Sequence, residues 1–387
     1  MTAAVQAAPM LGVLGGGQLG RMFVHAAQAM GLRVAVLEPD PASPAAAAAD
    51  LHLQAPYTDA AALEQMARQC VAVSTEFENV PADSLHWLAQ SVPVSPAADA
   101  VRVCQDRAAE KAHFVASGVP CAAHARIESA EAAAAASPAL FPALLKTARL
   151  GYDGKGQCAV ASPQALPAAW QGLGAVPCLL EHKLPLAFEI SVVVARGRDG
   201  AMVTLAVQQN LHRQGILAVT QVPAPDVPAA TQAKALAWAQ SLAEGLRYVG
   251  VLCVEFFVLA DGSLVANEMA PRPHNSGHHS IDSCDLSQFD LQVRTLMGWP
   301  LVPPRQHSAA VMLNLLGDLW PVGADGARHA PDWAPVLALP GVHLHLYGKH
   351  EARPGRKMGH LTVTAATPHE ARAIALQAAA HLGFAPF

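Results

Sequence analysis

Short apolar runs broken by glycine and polar turns open the chain. Residues 10–14 read as a strand, GGGQLGRM at 15–22 as a turn entering an apolar helix that runs to about Met30, and 34–37 as a second strand. Gly15, Gly17 and Gly20 satisfy the GxGxxG spacing, and Glu38 and Asp40 follow about twenty residues on, as a dinucleotide fingerprint requires. By itself the pattern reports a tight turn and a close approach to backbone at a helix N-terminus, so it suits an NAD site and other βαβ openings alike. A strand at 71–73 runs into STEFENVP at 74–81, which puts Glu76, Glu78 and Asn79 at a strand's carboxyl end, where open α/β sheets keep their ligands. Prolines at 93 and 96 then lead to a charged helix expected over 101–118, the hinge into a second unit.

That unit begins with a strand at 141–146 ending in Lys146, followed by GYDGKGQ: Gly151, Tyr152, Asp153, Gly154, Lys155, Gly156 and Gln157. Such a loop offers backbone N–H groups and an ammonium to a polyphosphate, or is an ordinary hairpin turn; the GxxxxGK[ST] spacing of a P-loop is absent. An apolar strand continues into Glu181, His182, Lys183 and Leu184, a polar linker suited to hydrogen-bonding adenine and ribose, and the strand at 188–192 carries one embedded carboxylate, Glu189.

The run VGVLCVEFFVLADGSLVANEM at 249–269 reads as a β-hairpin turning at Asp261-Gly262. A two-residue turn pairs Ala260 with Ser263 and therefore Glu255 with Glu268, two carboxylates at about 5 Å. An ionised carboxylate within an apolar strand costs several kcal/mol uncompensated, and a divalent cation is the natural remedy. Oxygen donors suit Mg²⁺ on nucleotide phosphates better than Zn²⁺. Strand alternation sends Asn267 to the other face, a weaker ligand that is free to touch the nucleotide. The following APRPHNSGHH at 270–279 gathers Arg272, His274, Asn275 and Ser276 into a loop suited to an anion, with His278 and His279 expected to be solvated. A short C-terminal unit from about Pro300 holds a strand at 342–346 and the basic run KHEARPGRK at 349–357, read as anion capture.

With 387 residues the chain has room for two or three packed units. The alanine runs at 45–49 and 132–136 carry no functional reading. No apolar stretch is long enough to span a bilayer, and residues 1–9 carry no basic residue, so a cytoplasmic protein without a signal peptide is expected. Seven cysteines without CxxC spacing fit reduced thiols. A net charge of −5 argues against nucleic-acid binding and makes phosphate recognition local.

Together GGGQLGRM, QDRAAEK at 105–111, GYDGKGQ, EHKL with Glu189 beyond it, NLH at 210–212, the Glu255/Glu268 pair, APRPHNSGHH and RPGRKMGH at 353–360 resemble the 5-(carboxyamino)imidazole ribonucleotide synthases, ATP-grasp enzymes of purine biosynthesis, in order from Met10 to His360. The resemblance implies an α/β (α+β) chain with the ATP-grasp fold. A Rossmann-like pre-ATP-grasp domain is expected at 1–105, an ATP- and Mg²⁺-binding ATP-grasp domain at 106–300, and a small β-rich domain completing the ribonucleotide site at 301–387. It further implies that ATP phosphorylates bicarbonate to carboxyphosphate, and that the amine of aminoimidazole ribonucleotide takes the carboxyl group, without biotin. By motif position Arg107, Lys146, the loop at 151–157, Glu181, His182, Lys183, Leu184, Glu189, His212, Asn267 and Glu268 would contact ATP, while Glu255 and Glu268 hold Mg²⁺. Gln18, Glu76, Tyr152, Asp153, Arg272, His274, Asn275, Ser276, Lys349 and Arg356 would meet the ribonucleotide. Asp153, Lys155, Arg272 and Lys349 form the candidate catalytic set, with Asp153 handling the amine's proton. The partners implied are small molecules, and family analogy adds a homodimer. The alternatives are a formate-using ATP-grasp ligase acting on a glycinamide ribonucleotide, a non-catalytic nucleotide sensor, and an NAD dehydrogenase, which accounts for only the first forty residues.

Overall fold

The computed structural model describes residues 8–151, 155–324 and 326–387. The first apolar runs form a four-stranded parallel sheet in the order Leu51–Leu53, Arg33–Leu37, Met10–Leu14, Ala72–Thr75. Both faces are covered, which is why these strands read as unbroken apolar runs. Leu14, Ala35, Leu37 and Val73 pack with Leu63, Met66 and Leu85 on one side. On the other, Leu11, Val13, Val34 and Val36 meet Phe23 and Val24 of the helix Gln18–Ala29, together with Phe289 and Val293 of Gln288–Met297 and Tyr347 from far along the chain.

A small antiparallel sheet follows, ordered His124–Ile127, Cys178–His182, Ala143–Thr147, Gln157–Val160. The largest sheet has nine strands. Its path runs Leu264–Ala270, Gly250–Leu259, Leu186–Arg196, Gln208–Arg213, Ile216–Val222, Ala309–Leu316, Lys357–Ala365, Val342–Leu346, with Met202–Thr204 paired to Leu186–Arg196 beside it. Ile216–Val222 bonds directly to Ala309–Leu316, so the residues after 300 extend the same sheet. Ala235, Ala239 and Leu242 of the helix Ala229–Gly245 cover its central strands, and Ala371, Ala375 and Ala378 of Pro368–His381 cover its C-terminal ones. Among the described residues no helix is long and apolar enough to cross a membrane.

Two local expectations change. The helix expected over 101–118 is two, Ala98–Cys104 and Arg107–Ala116, because Asp106 leaves helical geometry and its carboxylate accepts from Ala108 N and Ala109 N at 3.0 and 3.1 Å. His278 and His279 are not solvated: they are 1% and 0% exposed. Gln288 Nε2 lies 2.9 Å from His278 Nδ1, and Ser283 Oγ lies 2.8 Å from His279 Nδ1. One side-chain partner each meets Nδ1, while Nε2 of both rings is buried without one, so the loop packs as an element with half of its imidazole polarity matched.

Burial holds His279 neutral, its pKa lowered to about 4 despite the opposing pull of Asp282. The unfolded chain takes up that proton near pH 6.5 whereas the folded chain waits until about 4. The stability tied to this group is therefore complete above pH 6.5 and lost as pH falls. In His279→Phe the acid-induced loss of stability between pH 6.5 and 4 should be shallower than in the wild type by up to about 1.4 kcal/mol per pH unit. Urea unfolding at several pH values checks this, and parallel slopes in the two proteins would refute it.

Candidate active site

A cleft of about 520 Å³ draws its walls from every part of the chain. Gln18, Glu76 and Glu78 come from the N-terminal unit, Lys146 and Gln157 from the small sheet, and Glu255, Asn267 and Glu268 from the large one; Arg272, His274 and Asn275 come from the following loop and Lys357 from the C-terminal strands.

The hairpin carrying Glu255 and Glu268 is built differently from the two-residue turn its sequence suggests. Leu259 N donates to Ser263 O at 2.8 Å and Gly262 N to Leu259 O at 2.9 Å, so the loop has three residues, and Gly262 takes a φ of 81° that favours glycine. That shifts the register by one residue. Farther along, Phe256 pairs with Ala266 but Glu255 with Glu268, leaving Asn267 as the extra residue of a β-bulge that shifts it back. Glu255 therefore does face Glu268, and the bulge breaks simple alternation so that Asn267 and Glu268 both line the cleft.

The helix Arg107–Ala116 holds the bulge with three side chains from one face. Arg107 NH1 meets Glu268 Oε2 at 3.0 Å, Lys111 Nζ donates to Asn267 O at 2.6 Å, and Glu110 Oε1 accepts from Met269 N. Burial pushes the Glu110 carboxyl up to about 8 against the pull of Lys111. Sequence reading passed over Glu110 and Lys111 as site residues; the available signal was three charges at i, i+3 and i+4 on an otherwise alanine-rich helix.

Several carboxylates in or behind the cleft have a cationic partner, whereas Glu76 is held by the backbone N–H groups of Gly17 and Gly20 and Glu110 by that of Met269. His274 Nε2 lies 2.9 Å from Glu255 Oε1; burial raises the Glu255 pKa, but His274 outweighs it and holds the group at about 2. Arg272 pairs with Glu78, and although burial opposes ionisation its guanidinium holds that carboxyl at about 2. Glu189 Oε2 lies 2.9 Å from His212 Nδ1. Glu181, expected at the nucleotide, is 4% exposed and bridges Lys146 at 2.5 Å and Lys111 at 3.1 Å, which holds both ammonium groups in place. Asn275 is 7% exposed and lines the cleft, yet neither of its amide atoms has a partner. Ser276 does not reach the cleft; fully buried, its Oγ lies 2.9 Å from His274 Nδ1 and 2.7 Å from Ser191 Oγ, positioning the imidazole.

Other predicted residues are placed as follows. Gly151, Lys155 and Gln157 line the cleft; Tyr152, Asp153 and Gly154 lie outside the described residues, and Gly156, with a φ of 72°, packs against Thr147. His182, Lys183 and Leu184 lie off the cleft lining among the described residues, the backbone N–H groups of the first two donating to Ala123 O and Pro142 O. Lys349 Nζ donates to Gln18 Oε1 at 2.7 Å and to Lys357 O at 2.8 Å, which ties it to the cleft wall. Arg356 instead turns to its own loop, donating to Glu351 O at 2.8 Å, and Lys357 is the basic residue that lines the cleft.

The glycine turn is already filled. Glu76 accepts from Gly17 N at 2.7 Å and from Gly20 N at 2.9 Å, while Glu38, the acidic residue that would take a ribose hydroxyl, accepts from Gly16 N at 2.7 Å and from Tyr57 OH. The helix N-terminus that would hold a pyrophosphate thus holds the chain's own carboxylate, which removes the dehydrogenase reading.

Two lysine-bearing β-sheets closing on a cleft with paired glutamates, behind a parallel-sheet unit, define an ATP-grasp ligase. Family models agree: the ATP-grasp domain matches residues 112–289, the ribonucleotide synthetase preATP-grasp domain 9–105, and the phosphoribosylaminoimidazole carboxylase C-terminal domain 310–374. The chain is 41% identical over 355 residues to the N5-carboxyaminoimidazole ribonucleotide synthase of Brucella melitensis, covering 91% of this chain and 95% of that one. The solved N5-carboxyaminoimidazole ribonucleotide synthetase of Thermus thermophilus superposes with a TM-score of 0.88 at 36% identity, over 98% of this chain and 100% of that one. The enzyme of Aspergillus clavatus in complex with ADP and 5-aminoimidazole ribonucleotide superposes with a TM-score of 0.86 at 32% identity, over 97% and 99%. The chain belongs to the N5-carboxyaminoimidazole ribonucleotide synthase family.

With the glycine turn occupied by Glu76, titration with NAD or NADP should give no saturable binding, whereas ATP with Mg²⁺ should raise the melting temperature by mass action. Calorimetry against each nucleotide checks this, and tight NAD binding would contradict the placement of Glu76.

Proposed function

We propose that this cleft carries out the ATP-dependent carboxylation of 5-aminoimidazole ribonucleotide. ATP phosphorylates bicarbonate, giving ADP and carboxyphosphate; the exocyclic amine then takes the carboxyl group, directly or as released CO₂, and phosphate leaves. The observation that carries this reading is a single cleft with ATP-grasp donors along one stretch and an anion-suited set from three parts of the chain along another.

Lys146, held by Glu181, presents a fixed ammonium toward the transferring phosphoryl group, and Arg107 and the loop at 151–157 supply further donors. Positioned positive charge is the main source of rate in phosphoryl transfer. Glu189, His212 and Asn267 complete the ATP contacts. Arg272, His274 and Asn275, with Gln18, Glu76 and Lys349, face the ribonucleotide. Arg272 is suited to a bidentate phosphate contact, and the two unpartnered amide atoms of Asn275 await a donor and an acceptor. Asp153, in the loop between Lys146 and Gln157, is the candidate for receiving the amine's proton. Keeping water out of the cleft would protect carboxyphosphate, which water hydrolyses.

The oxygen donors of Glu255 and Glu268, each balanced here by a cationic side chain, fit a hard divalent ion. When bound there, Mg²⁺ would offset the charge of the nucleotide phosphates. A cytoplasmic setting and a homodimer are what family analogy adds.

Glu268→Gln should abolish ADP release at saturating Mg²⁺ in a folded protein, since it removes a carboxylate from the ion and the charged partner of Arg107. Unchanged turnover across a Mg²⁺ titration would remove Glu268 from the site. Lys349→Ala should weaken the ribonucleotide roughly ten- to a hundredfold, the worth of one charge-assisted contact at about 1.5–3 kcal/mol, while ATP affinity barely moves. ADP and carboxylated product measured side by side should show ATP being hydrolysed without coupling, and equal losses for both substrates would place Lys349 in the fold instead.

A further inference from the structure

Away from the cleft, the C-terminal strands bring together a second set of ligating groups. His343 and His345 occupy alternate positions of Val342–Leu346, so they share one face, and His345 pairs directly with His360 on Lys357–Ala365. The rings of His345 and His360 stack with centroids 4.4 Å apart. Asp282, in the short helix that follows the PRPHNSGHH loop, reaches them from the ATP-grasp side, with Oδ2 2.9 Å from His345 Nε2 and Oδ1 3.6 Å from His343 Nδ1. Asp282, His345 and His360 each offer one ligand atom, and all three atoms lie within 4.8 Å of one another.

An Asp–His ion pair accounts for only part of this. His360 is 0% exposed, its Nδ1 lies 3.0 Å from Tyr347 OH, and its Nε2 has no partner. A buried nitrogen left unsatisfied is costly; His278 and His279 each carry one too, but of the three only His360 belongs to a ligand-spaced group with a carboxylate and a second imidazole.

We propose that Asp282, His345 and His360 bind a divalent transition-metal ion of the Zn²⁺ class, which clips the C-terminal strands to the ATP-grasp unit. Two imidazoles and one carboxylate are donors that Zn²⁺ takes and that Mg²⁺ and Ca²⁺, which want oxygen, do not. The 2.9 Å between Asp282 Oδ2 and His345 Nε2 is a hydrogen-bond contact; an ion about 2.0–2.2 Å from each atom replaces the shared proton, spreads the two atoms to roughly 3.4 Å, the edge of a tetrahedron, and turns the His345 ring out of its stack on His360. Tyr347 can accept from Nδ1–H of His360, the tautomer that leaves the Nε2 lone pair for the metal. His343, whose Nε2 lies 3.1 Å from Thr364 Oγ1, orients the far oxygen of Asp282. The His345 side chain is 29% exposed, which leaves an entry path and room for water as a fourth ligand.

The test uses the full-length protein, stripped by chelator and titrated with Co²⁺ in excess Mg²⁺ so that the carboxylates of the cleft are occupied. The expected result is a visible ligand-field spectrum that saturates at one ion per chain and is displaced by Zn²⁺, together with a Zn²⁺-dependent rise in melting temperature. Asp282→Asn and His345→Gln should each weaken Co²⁺ binding at least tenfold and remove the Zn²⁺-dependent rise, while ADP release in the complete reaction persists and shows that they are folded. No spectrum in the wild type, or the same spectrum in both variants, would overturn the assignment. His360 is left unaltered because replacing so buried a ring perturbs packing as well; if Asp282→Asn does not fold, the partly exposed His345→Gln decides the matter alone.

Discussion

The cleft depends on how one irregular stretch of strand is held. A β-bulge leaves backbone groups off the ladder, and a buried one without partners would cost on the order of 1–3 kcal/mol for each group. Here Lys111 takes the carbonyl of Asn267 and Glu110 takes the amide of Met269, while Arg107 one turn earlier pairs with the Glu268 side chain. The helix and the hairpin therefore behave as one body. That body exists only because Asp106 interrupts what would otherwise be a continuous helix and starts a new one at Arg107, with its charged face toward the strand.

The same logic of internal compensation runs along the whole cleft. Glu181 fixes two lysines, Glu78 fixes Arg272, and Glu255 holds His274. These three carboxylates, buried or partly so, are tolerated because each has an opposite charge within contact distance. Asn275 stands apart: its amide is buried at the cleft wall with neither atom paired, so a ligand meeting it would gain hydrogen bonds without breaking any.

In the N-terminal unit, a glycine turn of dinucleotide type has become a seat for Glu76. The backbone N–H groups of Gly17 and Gly20 still meet negative charge at a helix N-terminus, but the charge is the chain's own and arrives from the end of the strand Ala72–Thr75. A Cβ at Gly17 would come within 2.4 Å of that carboxylate, so a larger residue there displaces Glu76 from its seat. The strand, the turn and the helix could be read from spacing; what fills the turn could not, because the two partners lie 59 residues apart.

Local patterns alone carried three of the four parallel strands of the first unit, Leu51–Leu53 being the one missed, together with the strands carrying Lys146 and Glu181, the turn region at Asp261-Gly262, and the facing of Glu255 and Glu268, since each is written within a few residues. That facing was reached by assuming a two-residue turn, whereas the chain arrives at it through a three-residue loop and a compensating bulge, a pair of shifts that no period-two reading separates. The motifs in order were enough to indicate the family, because their residue types and spacing are set by the chemistry they perform. Tertiary structure decided the rest. It buried His278 and His279, which look solvated in sequence, with Gln288 and Ser283 from later helices meeting one nitrogen of each ring. It turned Arg356 away from the cleft and brought Lys357 to it, and it recruited Glu110 and Lys111 to a strand more than 150 residues distant. Sequence by itself determined which groups can ionise, turn or span a strand; which of them meet was fixed only by packing, since desolvation and partner distance belong to the folded chain.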